Sequence, residues 1–228
     1  MTSGLEDPTE LQERLLAWFA EAQRDFPWRS QTDPYAVLIA EKLLQQTAAG
    51  RTVVEAYERL LDRYPSASHL AQAAVCDLME IIAPLGLKYR AAELQAMGRE
   101  LVHRHGGQVP GTYDELLALS GVGEYSARAV LAFAFGEDVA VVDTNVARFI
   151  RRLHGIAARV PANPARSKVL VQLAESLVPT ARSKEFNLAI LDLCAQICTR
   201  HDPACSECPV REYCAYYTER QGSGRREV

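Results

Sequence analysis

Leu119-Ser-Gly-Val-Gly-Glu-Tyr-Ser-Ala-Arg128 is the stretch on which the fold turns. It lies between two segments whose apolar residues recur at helical spacing, and its two glycines stand one residue apart. Such a pair allows a tight turn and the close approach of another backbone. The helix that follows offers N–H groups without partners at its start, a ready site for an anion. A helix–hairpin–helix of this kind grips a phosphate through backbone groups and requires no net positive charge. A plain turn between two helices satisfies the same residues, so the rest of the chain has to decide.

Outward from the hairpin the pattern stays helical. Leu11, Leu15, Trp18 and Phe19 recur at helical spacing, as do Val53, Tyr57, Leu60 and Leu61. Breaks fall at Pro27, Asp33-Pro34, Pro65-Ser66, Pro84-Leu-Gly86, Gly106-Gly107, Gly121-Val-Gly123, Gly155, Pro161–Pro164 and Pro179. This predicts roughly ten helices of about 10–18 residues with short connectors. The run Val139-Ala-Val-Val142 is strand-like, but it is short and has no evident partner. The class is all-α. A disordered tail is expected over 218–228.

At 228 residues, 48% hydrophobic and 24% charged, the chain suits one large domain or two smaller ones. Its longest apolar runs, such as Val130–Phe135, are too short to span a bilayer, so no membrane partner is expected. The acidic N-terminus lacks a basic-then-apolar signal, and a cytoplasmic, nucleoid-associated location is the expectation. The net charge of −4 argues, taken alone, against a nucleic-acid partner. Its distribution says more. Residues 1–140 carry a net −8 and residues 141–228 a net +4, and within 144–184 eight basic side chains accompany one acid, Glu175. A polyanion could find a local basic surface there; a solvated helix face would look the same.

Four of the six cysteines crowd together as Cys198, Cys205, Cys208 and Cys214. A secreted disulfide framework fits poorly, because the first two-thirds of the chain hold one cysteine, Cys76. Four thiolates at this spacing read as a metal site. Structural zinc usually takes two close knuckles, and only one close pair is present, so a [4Fe–4S] cluster is the better candidate. Cys76 and Cys194 read as ordinary buried thiols.

Two carboxylates stand out. The helical neighbours of Glu41 are Val37, Leu38, Leu44 and Gln45, a mostly apolar face on which a carboxyl should be desolvated and its pKa raised, as a general acid requires. A Glu at the edge of that face with its head in water is the plainer reading. Asp143 follows the apolar run 139–142 and precedes a helical pattern. There it is either an ordinary N-cap or a carboxylate kept ionised by the helix terminus. One neutral acid and one anion form the pairing that cleaves a glycosidic bond through an oxocarbenium-like state.

Taken in order, these pieces resemble the helix–hairpin–helix DNA glycosylases of the endonuclease III / MutY-type superfamily. The resemblance runs from about Phe26 to Tyr217. It rests on Phe26-Pro-Trp-Arg29, Asp33-Pro-Tyr35, Glu41-x-x-Leu-Gln-Gln-Thr47, Gly121-Val-Gly123, Val142-Asp-x-Asn-Val146, Phe186-Asn187 and the four cysteines. It implies a six-helix barrel domain over 27–136 and a cluster domain built from 1–26 and 137–217, with the cluster loop at 198–214. Double-stranded DNA carrying a mismatched or damaged base would lie across a cleft, its target nucleotide flipped out, on a monomeric enzyme. By position, Asp143 matches the catalytic aspartate and Glu41 the pocket glutamate of the mismatch-acting branch. Tyr125 joins them as a candidate catalytic residue that closes the pocket, and Trp28, Arg29, Ala49 and Leu188 fall at the base pocket. Gln46 matches the residue that fills the emptied stack, and Leu87 and Lys88 the opposing wedge. Gly121, Gly123 and Arg148 are placed against the DNA backbone.

Departures from the family pattern set the expected subtype. Bifunctional members carry a Schiff-base lysine where this chain has Tyr125, which implies a monofunctional glycosylase with water as nucleophile. Adenine-removing members carry Gln or Glu where Leu188 stands, and usually a further C-terminal domain. Tyr125, Leu188 and Ala49 together resemble the thymine–DNA mismatch glycosylases, which remove T or U opposite G. The alternatives are an adenine glycosylase acting opposite G or 8-oxoG, a bifunctional lyase, or a non-catalytic iron–sulfur DNA-binding protein. Ser120 stands at a usual proline, and Glu124 replaces a hairpin Lys or Arg, which should weaken DNA affinity.

Overall fold

Twelve α-helices and no strand are found among the described residues, 7–86 and 88–223 of the computed structural model. They are α1 (Thr9–Ala22), α2 (Pro34–Leu44), α3 (Arg51–Arg63), α4 (Ala67–Gln72), α5 (Val75–Ile82), α6 (Arg90–His105), α7 (Tyr113–Leu117), α8 (Glu124–Val130), α9 (Thr144–Leu153), α10 (Lys168–Glu175), α11 (Ser183–Gln196) and α12 (Ala215–Ser223). Short 3-10 turns and a π-helical stretch, Leu131–Phe135, complete the helical content.

The chain divides into two compact units, one of Asp25–Phe135 and one of Met1–Arg24 with Gly136–Val228. In the first, α2 runs through the interior. Asp33 starts it, accepting from the N–H groups of Tyr35 and Ala36 at 3.2 and 3.3 Å, with Pro34 at the first helical position. Every residue from Tyr35 to Leu43 is buried, so this helix has no solvent face to spare for its charged members. Helices α4 and α6 pack closely because Gly98 has no side chain; a Cβ there would lie 2.8 Å from the Ala71 nitrogen.

The second unit is built on α1, α9, α10 and α11. Leu11, Leu15 and Phe19 of α1 share a core with Val146, Phe149, Ile150, Phe186, Ile190 and Leu193. Each such side chain fully buried contributes about 1.5–3 kcal/mol. The α1 end is fastened by Asp192 of α11, fully buried, which accepts from the Arg24 backbone N–H at 2.9 Å and from Arg24 Nε at 2.6 Å.

Four expectations need correction. The helices are more numerous and shorter than periodicity suggested, from 5 residues in α7 to 16 in α6, because apolar spacing survives across the tight breaks between short helices. The stretch expected to be disordered from 218 is helical to Ser223, as part of α12; residues 224–228 lie outside the described residues. Cys76 is exposed, since α5 buries Leu78, Ile81 and Ile82 and residue 76 falls on the other face. Val139–Val142, strand-like in sequence, forms no strand, and its partner is a side chain described below.

Candidate active site

In the unit of residues 25–135, Glu41 is only 4% exposed. Next to it, the Lys42 side chain is wholly buried, and its Nζ donates to Glu93 Oε2 and the Gly121 carbonyl, both at 2.8 Å, and to Gln45 Oε1 at 3.3 Å. Gln45 Nε2 donates to the same carbonyl at 2.9 Å and to Ser126 Oγ at 3.1 Å. Burial pulls the Lys42 ammonium below its usual pKa, against the pull of Glu93. Lys42 and Gln45 thus bond the end of α2 to the hairpin and to the first turn of α8. Tyr125 sits in that turn, half-buried.

The hairpin itself is tightly specified. Gly121 has a φ of +69°, and a side chain there would overlap the Lys42 ammonium and the Glu93 carboxylate. Gly123 is extended, begins α8, and has open space around its would-be Cβ, which leaves room for a ligand's approach. Ser120, where the family favours proline, donates through both its N–H and its hydroxyl to Glu100, each at 2.6 Å. A proline could supply neither bond.

Trp28 is buried, stacked on Phe26 at 4.9 Å and edge-on to Tyr57 at 5.5 Å; Arg29 is half-buried with its guanidinium over Phe26 at 5.6 Å. Gln46 is exposed just past α2, with a φ of +56° that is uncommon for a residue with a side chain. Buried Arg90 holds this turn, donating to the Leu43 carbonyl at 3.0 Å and to Thr47 Oγ1 at 3.4 Å. Ala49 is half-buried and Lys88 exposed, while Leu87 lies outside the described residues.

In the other unit, Asp143 caps α9. Its Oδ1 accepts from the N–H groups of Asn145 and Val146 at 2.8 and 2.7 Å, and its Oδ2 accepts from Asn145 Nδ2 at 2.8 Å. Asp143 is therefore an N-cap, as one of its two readings expects. Arg148 Nη1 donates in turn to Asn145 Oδ1 at 2.9 Å, and its Nη2 donates to the Cys198 carbonyl at 2.8 Å. Arg148 thus links Asn145 of the Asp143 cap to the backbone of Cys198. Arg148, Arg151, Arg152 and Arg200, with Ile156 and Tyr216, help to line a pocket of about 810 Å³ that opens beside Thr144 and Asn145. Arg151 and Arg152 donate to the backbone carbonyls of Ile156 and Thr199, neutral acceptors that leave the guanidinium charge in place. Leu188 is half-buried against the core of this unit.

Cys198, Cys205, Cys208 and Cys214 all line one small pocket, with Phe149, Pro203 and Val210 as its apolar floor. Among the described residues no three His, Cys, Asp or Glu side chains are arranged to hold a single metal ion. Four sulfurs around one pocket are a donor set that suits a [4Fe–4S] cluster and would equally suit one tetrahedral zinc. Arg152 Nη1 reaches Cys198 Sγ at 3.2 Å. Burial, together with the neighbouring thiols, pushes Cys208 up to about 12. Cys194 is buried apart from this set, its thiol on the Asn145 carbonyl at 3.4 Å.

Sequence reasoning missed the polar residues Lys42, Glu100 and Arg152, and it quoted Gln45 and Asn145 within motifs without giving them a role. A lysine inside an all-buried helix was the one available signal, because such a charge must find partners.

Residues 39–179 match the HhH-GPD superfamily of base excision DNA repair proteins. The chain is 39% identical, over 94% of its length, to the thymine/uracil-DNA glycosylase of Pyrobaculum aerophilum, of which it covers 95%. It is 36% identical to the adenine DNA glycosylase of Rattus norvegicus over 98% of its own length, but spans only 44% of that protein. A solved structure of a thermostable thymine-DNA glycosylase superposes with a TM-score of 0.86 at 34% identity, over 93% of this chain and 97% of that one. The chain belongs to the HhH-GPD superfamily. Its class is DNA glycosylase, hydrolysing N-glycosidic bonds, and DNA is its partner. None of the described helices is long and apolar enough to cross a membrane.

Proposed function

We propose that this protein removes thymine or uracil mispaired with guanine from duplex DNA and leaves the strand uncut. The observation that carries the chemistry is the contrast between two carboxyls. Glu41 is sealed within α2, whereas Asp143 is anchored by two backbone N–H groups at the start of α9. A carboxyl withdrawn from water suits proton donation, and one held by N–H groups suits an anion facing a developing cation.

In this reading the bond from C1′ to the base breaks, and the base leaves with the electron pair and takes a proton from Glu41. Asp143 stabilises the sugar cation and orients water, which bonds to C1′; the proton water loses replaces the one given to the base. Tyr125, standing where a lyase would carry lysine, makes water the nucleophile. With Leu188, Ala49, Trp28 and Arg29 it is assigned to the base pocket. Gln46, Leu87 and Lys88 are assigned to the stack left by the flipped nucleotide, and the Gly121–Gly123 hairpin to a phosphate. Arg148 is assigned to the DNA backbone, from beside Asn145, whose Oδ1 it bonds. A mismatch suits this enzyme because weak pairing lowers the cost of extrusion by on the order of a few kcal/mol.

The base preference is supported by similarity to a thymine/uracil-DNA glycosylase over nearly the whole of both chains. Excision of adenine is the second reading, favoured by the match to the rat enzyme. Cys198, Cys205, Cys208 and Cys214 are assigned to a [4Fe–4S] cluster, which supplies iron–thiolate bonds that tie 198–214 to one centre. The unit holding them is assigned as the cluster domain and residues 25–135 as the barrel domain, of a monomeric intracellular enzyme. The direct test is Asp143→Asn: excision from a G·U duplex should be abolished and duplex binding kept, and an active variant overturns the reading.

A further inference from the structure

Val139–Val142 has no regular secondary structure and no neighbouring strand among the described residues, and its backbone is nonetheless paired. Asn187 of α11, 3% exposed, lies alongside it. Its Oδ1 accepts the Val141 N–H at 2.8 Å, and its Nδ2 donates to the Val139 carbonyl at 2.9 Å. Nδ2 also reaches the Ser183 carbonyl at 2.9 Å and the Ser183 hydroxyl at 3.1 Å, and that hydroxyl donates to the Val139 carbonyl at 3.0 Å. One amide therefore does for residues 139 and 141 what a strand edge does, accepting an N–H and donating to a carbonyl two residues apart.

The register matters because Asp143 stands two residues beyond Val141. Ala140, Val141 and Val142 are buried, so a slip by one residue in one direction would carry the Asp143 carboxylate into the buried place of Val142. Asn187 thus fixes the approach of the chain to α9, and with it the origin of the Asp143 side chain.

We propose that Asn187 is a positioning residue for Asp143, acting through the backbone of Val139–Val141. The proposal rests on Asp143 being the carboxylate that faces the sugar cation. A packing role alone would be met by any side chain of similar volume; positioning requires a donor and an acceptor on one rigid group.

Asn187→Asp separates these roles. Ionised, the introduced carboxylate would accept but not donate, and would face the Val139 and Ser183 carbonyls; protonated, it would regain an O–H donor. The measurement is the single-turnover excision rate on a G·U duplex at saturating enzyme, with the duplex Kd and Tm, for the parent, N187D, S183A and D143N. At neutral pH N187D should lose on the order of 100-fold in rate, as a small misplacement of a reacting group does, with Kd within about threefold of the parent. Acidification should narrow that gap. S183A removes one bond to Val139 and should lose less. Parental rates in folded N187D, or a deficit that acid leaves unchanged, would overturn the proposal. If N187D does not fold, S183A decides: a slower rate at unchanged Kd supports positioning and an unchanged rate refutes it. Full activity in D143N would instead sink the reading of Asp143 itself, whereas an inactive D143N beside a parental N187D sinks only the positioning role.

Discussion

The Lys42 ammonium donates to the Gly121 carbonyl at 2.8 Å and fills the space that a side chain at 121 would enter. The hairpin is thus held by a charge from the helix that carries Glu41. Gly121→Ala would force a left-handed residue to carry a Cβ and displace the ion pair of buried Lys42 with half-buried Glu93. The expected loss is about 1–3 kcal/mol, read as a lower Tm or a lower urea midpoint. An unchanged midpoint would show that the Lys42 node is free to move.

The Ser120–Glu100 clip offers a second test, because two hydrogen bonds stand where the family has a proline. Ser120→Pro, which restores the family's usual residue, should here destabilise by about 1–3 kcal/mol, since Glu100 loses both donors. Glu100→Gln should weaken the clip less. A proline variant as stable as the parent would mean that water serves Glu100 equally well.

Much of the site is legible in the sequence. Asp143 shows as a carboxylate between an apolar run and a helical pattern, and the four cysteines show by their crowding. Glu41 is visible through its apolar neighbours on one helix. Long-range pairing is what a sequence hides. Asn187 and Val141 are 46 residues apart and Glu100 and Ser120 are 20 apart, so no periodicity links them. Arg148 shows the same limit: its positive charge is plain, but its bond to the carbonyl of Cys198, 50 residues away, is not. Helix lengths are overestimated because short helices in one layer share an apolar face. Cys76 is misread because a thiol carries no sign of which face it occupies.

His154 gives the fold a pH dependence. Half-buried at the end of α9, it has its pKa pulled below 6.5 by burial. As pH falls, the unfolded chain protonates this imidazole first, so between the lowered folded value and 6.5 the unfolded state holds more protons and stability falls. Tm should drop from about pH 7 to about pH 5, and drop less in His154→Gln. Parallel curves for the two proteins would remove His154 as a cause.

The cysteine pocket makes a compositional claim. Purified protein should carry about four irons per chain with the visible absorption of an iron–sulfur cluster, and Cys208→Ser should lose iron and Tm together. Stoichiometric zinc in place of iron would contradict the assignment.

Base identity is the centre of the account, and one side-by-side measurement reaches it: single-turnover release of free base from G·T, G·U, A·8-oxoG and A·G duplexes of one sequence. The expected result is release of thymine and uracil opposite guanine, with intact adenine in the other two duplexes and an unbroken strand until alkali is added. Preferential release of adenine would contradict it.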